Sequence, residues 1–257
     1  MTSVSPAVTH SPARHPAQAR PAATHLQRER RFFTGMAIAM ALVCFAGFAP
    51  SYYLKAHFGT PQLKPLLHFH GLVFTMWMVL MIVQTSLISA AKVRLHQRLG
   101  IAGAVLVVLM VMSGAAVIYG RGTTITPGMP HEMILAFLAI AVVALLLFPM
   151  LIGAALYFRR NAGAHKRLML LGTMVFLTAA VHRLLMWLVD PAVTPPLFFG
   201  ATDLFIVALV AYDFLSRGRV HTATLWGGVA VVVAQVGSLL LAGSGMWMTF
   251  AHWITGT

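Results

Sequence analysis

Twelve histidines occur in a chain with only five acidic residues. Imidazole is the commonest protein ligand for transition metals and for haem iron. Several of these histidines sit at the ends of long apolar runs, where ionisable groups are costly and so become functional candidates. His70, His131 and His182 fall at one depth on three different runs. Three helices that bring imidazoles to one level are what a bis-histidine b-type haem or a small transition-metal site needs. His68 is two residues from His70, about 200° around a helix, so the two cannot share an ion, and His70 is expected to face inward. His96 and His165 lie at the opposite ends of the runs and form a second candidate pair. For each histidine the alternative is an ordinary hydrogen-bonded or solvated side chain, and for the His96 and His165 loops it is also contact with lipid headgroups.

Two further ionisable residues lie within apolar runs. With a rise of about 1.5 Å per residue, Arg183 and Asp203 each sit about 9 Å inside the same face on consecutive antiparallel runs. That register predicts an Arg183–Asp203 ion pair that clips two helices together. Cys44, the sole cysteine, has no partner for an internal disulfide and is expected to pack as a small apolar residue.

The elements that must carry these residues are membrane spans. The chain is 59% hydrophobic and 9% charged over 257 residues, against about a quarter charged in soluble domains. A spanning helix takes roughly 20 apolar residues. Such stretches cover 32–54, 66–90, 99–120, 132–158, 168–189, 197–215 and 222–243. The expected fold is all-α, a polytopic membrane bundle of seven helices in one domain, 32–257, with short loops between antiparallel neighbours. Helix 3, with Gly100, Gly103, Ala104, Gly114 and Ala115 spaced for close approach, is expected to be central. Residues 246–253 are too short to span, and Trp247 and Trp253 suggest an interfacial segment. Residues 1–31 read as a disordered basic tail.

The net charge of +13 is a topology signal. Arg14, Arg20, Arg28, Arg30, Arg31, Lys92, Arg94, Arg98, Arg159, Arg160, Lys166, Arg167, Arg217 and Arg219 all fall on one side. Lys55, Lys64 and Arg121 fall on the other. The positive-inside rule then places the N-terminus in the cytoplasm and the C-terminus outside. A charge so arranged argues for a lipid partner and against a nucleic-acid one.

A weak internal echo is present. Helices 2 and 4 each begin near a histidine, His70 and His131, and each is followed by His-x-Arg-Leu, at 96–99 and at 165–168. Other seven-helix classes fit poorly. Retinal proteins need a lysine within the last helix, and 222–243 has none; haemolysin III-like and adiponectin-receptor-like zinc proteins carry His-x-x-x-His there, and this helix has no histidine. Gln84, Ser113 and Gln235 are the few polar residues near the midplane, which leaves little for a solute path.

The segments His68-Phe69-His70-Gly71 through Trp77 and Gln84 to Leu95-His96-Gln97-Arg98-Leu99-Gly100, with Ala164-His165-Lys166-Arg167-Leu168-Met169, resemble a family of uncharacterised bacterial inner-membrane proteins. That resemblance implies a multi-pass protein of the bacterial cytoplasmic membrane. The paired histidines are also faintly similar to those of cytochrome b561-like proteins, which hold haem between axial histidines on four central helices. Here the cytoplasmic pair is expected in loops rather than inside helices, a departure from that pattern. The function classes left open are a haem-binding redox protein, a metal or small-solute transporter, assembly factor or sensor, and an accessory subunit of a membrane complex or homo-oligomer.

Overall fold

The computed structural model describes residues 19–124, 128, 130–190 and 192–256, with side chains from Leu26 onward. Among the described residues eight α-helices follow one another: α1 (Ala19–Phe48), α2 (Pro65–Ser89), α3 (Val93–Gly122), α4 (His131–Tyr157), α5 (Ala162–Leu188), α6 (Pro195–Arg217), α7 (Thr222–Ala242) and α8 (Gly245–Thr255). A π-helical turn, Ala49–Tyr53, extends α1 where Pro50 removes a donor. Seven helices, α1 to α7, are long and apolar enough to cross a membrane, so the chain is a multi-pass membrane bundle in contact with lipid. The tail expected through residue 31 overlaps the first turns of α1, and residues 1–18 lie outside the described residues.

The helix ends follow local chemistry. Pro65 and Pro195 occupy first helical positions, where a missing N–H costs nothing. The Asn161 side chain accepts from Ala164 N (3.1 Å) to start α5, and His221 accepts from Ala223 N (3.0 Å) to start α7. Gly218 ends α6 at φ 68°, a conformation that favours glycine.

The central helix is α5, not α3. It packs against α1, α4, α6 and α7, and its buried residues run from Ala164 to Val181 around most of its circumference. Helix α3 lies at the edge between α2 and α4, with Ile101, Val105, Val108 and Met112 exposed to the lipid side. Its small residues serve local fits: a Cβ on Gly103 would press on Leu80 and one on Gly114 on Leu145, while Gly100 faces open space. The closest backbone approach is instead between α1 and α5, where a Cβ on Gly47 would run into the Ala180 carbonyl.

Helix α8 packs on α4, α7 and α3. Trp247 is buried and its indole N–H donates to Leu135 O (2.8 Å), whereas Trp253 is 76% exposed. Only the second of the two tryptophans is therefore placed as an interfacial anchor.

Candidate functional site

Helices α3 and α5 both begin earlier than their apolar runs. Val93 opens α3 and Ala162 opens α5, so His96 and His165 are each the fourth residue of a helix rather than loop residues. The sequence expectation is corrected here. Arg94 and Arg98 can be helical at a membrane face because their long stems reach water, and Asn161 caps the start of α5.

The two imidazoles meet. Their ring centres are 6.2 Å apart and their planes cross at 84°. His165 Nδ1 lies 2.8 Å from Ala155 O on α4; a carbonyl only accepts, so Nδ1 is the donor and Nε2 is the ring nitrogen left to serve as a ligand. This is the usual way a second partner orients an imidazole ligand. Gln84 of α2 donates from Nε2 to His96 O (3.2 Å), tying α2 to the first turn of α3. His96 Nδ1 and Gln84 Oε1 are enclosed and have no hydrogen-bond partner, which in a folded protein calls for an explanation.

Successive residues on a helix point about 100° apart, and the first turn of α5 uses this to engage three neighbours. His165 turns to α3 and α4. Lys166 pairs with Glu29 of α1 and lies 4.7 Å above the Phe33 ring. Arg167 turns to α6 and α7, where it pairs with Asp213. Arg167 Nε donates to both carboxylate oxygens (2.9 and 3.2 Å), and Nη1 donates to Gly163 O (2.9 Å). Asp213 also accepts from Thr224 Oγ1 (2.5 Å) and from His221 N (3.1 Å). Arg167 is 1% exposed and Asp213 0%. A buried pair this fully bonded is a satisfied structural junction with nothing left to offer a ligand.

The Arg183–Asp203 pair expected from depth is not formed. Asp203 Oδ1 accepts from Gln235 Nε2 of α7 (2.8 Å), and the Arg183 guanidinium lies 4.9 Å from the centre of the Phe48 ring of α1. The two side chains leave α5 and α6 toward different neighbours, α1 for Arg183 and α7 for Asp203. Asp213, the acid that does pair with arginine, lies one turn from the end of α6, and Arg167 reads from sequence as a loop charge. The available signal was scarcity: only five acids exist in the chain, and Asp203 and Asp213 are the two inside α6.

At the opposite end, His70, His131 and His182 are held apart. His70 Nδ1 is 3.3 Å from Ser113 Oγ and its ring rests on Phe74 (4.2 Å). His182 lies against Phe198 (4.7 Å) and Phe137 (6.3 Å). His131 is 6.4 Å from His252, whose Nε2 is 3.1 Å from Glu132 Oε1. Among the described residues no two of the three candidate rings touch, and no group of three or more His, Cys, Asp or Glu converges on a possible ion. Two imidazole pairs therefore approach each other, His96–His165 (6.2 Å) at the basic end and His131–His252 (6.4 Å) at the other, but in the second His252 Nε2 already meets the Glu132 carboxylate. No protein-family model, curated protein or solved structure matches the chain.

Proposed function

We propose that this is a haem-binding redox protein of the bacterial cytoplasmic membrane, in which His96 and His165 would hold one b-type haem at the cytoplasmic end. The observation that carries the reading is the 6.2 Å separation of the two rings. Metal–imidazole bonds of about 2.0–2.1 Å, plus roughly 1.1 Å from ring centre to nitrogen, put two imidazoles across one metal with centres about 6.3 Å apart. With only two candidate protein ligands, a bare ion would be under-coordinated, whereas a porphyrin supplies four nitrogens and needs two more. His165 Nδ1 anchored on Ala155 O and the unpartnered His96 Nδ1 suit this role. Exposed Arg94, Arg98, Arg159 and Arg160 surround the same end and complement anionic propionates.

Haem iron at this position would supply one-electron exchange. The chain's own residues orient the ligands: Ala155 O fixes the His165 tautomer, Gln84 pins the first turn of α3, and the Arg167–Asp213 junction fixes the start of α5. The test is a visible spectrum of detergent-purified protein from cells supplied with a haem precursor, with iron and copper assayed on the same sample. Stoichiometric haem in the wild type, lost in His96→Ala and in His165→Ala but kept in His182→Ala, is the expected result. Bound copper without haem would replace haem by a two-coordinate ion at the same pair. Neither metal nor haem would leave an accessory subunit as the better reading.

A further inference from the structure

Among the described residues Arg183 of α5 makes no hydrogen bond or ion pair; its guanidinium rests 4.9 Å from the centre of the Phe48 ring. The chain has only five acids to offer it, and all are engaged elsewhere. Glu29 pairs with Lys166, Asp213 with Arg167, and Glu132 meets His252. Asp203 accepts from Gln235 Nε2, and Asp190 from Ala192 N. No acidic charge acts on Arg183, and a guanidinium left without a counter-charge inside a span is costly. Its five N–H donors form a planar fork that fits an oxyanion at two points.

Two facing helices build the space beside it. Trp77 of α2 donates to Thr173 of α5 (3.2 Å), and one turn farther from the basic end Phe74 meets Phe176 (4.9 Å). The next positions in that antiparallel register are His70 on α2, and Ala179 and Arg183 on α5. There the helices part: Ala179 and Arg183 are exposed, although protein surrounds Arg183 on most sides. The result is a recess with the Phe74–Phe176 contact as floor, Phe48 of α1 as one wall, and His70 and Arg183 at the rim. The Arg183 charge reaches the His70 imidazole. His70 Nδ1 faces Ser113 Oγ (3.3 Å), and its Nε2 has no hydrogen-bond partner among the described residues. With 27 residues α5 is about 40 Å long, the thickness of a bilayer with its headgroups. Arg183, five residues before Leu188, lies about 8 Å below that end, where the headgroup layer meets hydrocarbon. The oxyanion a bilayer brings to this level is phosphate. We infer that the recess between α1, α2 and α5 binds a phosphate oxyanion, of a lipid headgroup or free, held at two points by Arg183 and at a third by His70 Nε2. The inference does not depend on the haem site at the other end.

The experiment strips the purified protein of lipid in a neutral glycoside detergent, offers it phosphatidylglycerol, inorganic phosphate or diacylglycerol, and counts adducts by native mass spectrometry. The chains compared are the wild type, Arg183→Gln, Arg183→Lys and Arg219→Gln, the last an exposed arginine at the basic end. Wild type and Arg219→Gln are expected to hold about one phosphate-bearing adduct per chain. Loss of the charge-assisted bonds lowers retention at least tenfold in Arg183→Gln, with Arg183→Lys in between. A phosphatidylglycerol adduct identifies a headgroup as the source, and an inorganic phosphate adduct without it identifies the free anion; either supports the site. No phosphate-bearing adduct, equal adducts in wild type and Arg183→Gln, or equal retention of diacylglycerol would overturn it. Where the adduct is lipid, a photoreactive phosphatidylglycerol locates it on the wild type without a variant that must fold. Labelling within 48–53, 67–74 or 176–187 supports the recess, and labelling confined to other segments contradicts it.

Discussion

At the residue scale, the buried charges sort by how completely they are bonded. Asp213 accepts from Arg167, Thr224 and the His221 backbone in a fully buried place, whereas half-buried Asp203 accepts a single bond from Gln235. Removing one partner of a buried pair leaves an uncompensated charge, at a cost of about 3–5 kcal/mol. Asp213→Ala is therefore expected to lower the thermal midpoint in detergent far more than Asp203→Ala, whose loss is about 1 kcal/mol for one hydrogen bond. Equal losses would show that Asp213 is not the junction described. Neither residue's role followed from depth alone: which neighbour each side chain faces depends on helix rotation, which a list of spans does not contain.

At the element scale, the cap of α7 carries a pH dependence. Burial, and then the Arg167 and Arg217 charges, push the His221 imidazole pKa below its usual value. The neutral ring accepts from Ala223 N, and a protonated ring cannot. The sign follows: the folded state binds this proton less readily than the unfolded chain, so the cap's stability is complete above the unfolded value, about 6.5, and is lost as pH falls through the lower folded value. Acidification from pH 7.5 to 5 is expected to lower the thermal midpoint of the wild type more than that of His221→Asn, which keeps a capping oxygen and does not titrate. An identical pH response in both would contradict it. The helices themselves were legible nearly throughout, since α2, α4 and α7 match their apolar runs within a residue or so at each end. The misplaced starts were those of α1, α3 and α5, because residues 19–31, Val93–Arg98 and Ala162–Arg167 mix polar and basic residues that an apolar window rejects. That error hid the helical placement of His96 and His165, and with it the pair's geometry.

At the scale of the whole molecule, the basic residues collect at one end of the bundle. They include Arg30, which donates to Ser89 O (3.2 Å), and the Lys166–Glu29 pair, both tying α1 to its neighbours at that end. By the positive-inside rule that end is expected to face the cytoplasm. A periplasm-active reporter fused after residue 244, between α7 and α8, is expected to be active, and one fused after residue 219 silent; the reverse pattern would invert the bundle. The central claim is that the two imidazoles at the cytoplasmic end share one haem iron. The measurement that tests it most directly is the absorption spectrum of the purified protein before and after dithionite, taken beside His96→Ala and His165→Ala. A Soret band that sharpens with α and β bands on reduction, at one haem per chain and absent from both variants, is the predicted result. A featureless wild-type spectrum from haem-supplied cells, or an unchanged spectrum in both variants, would contradict it.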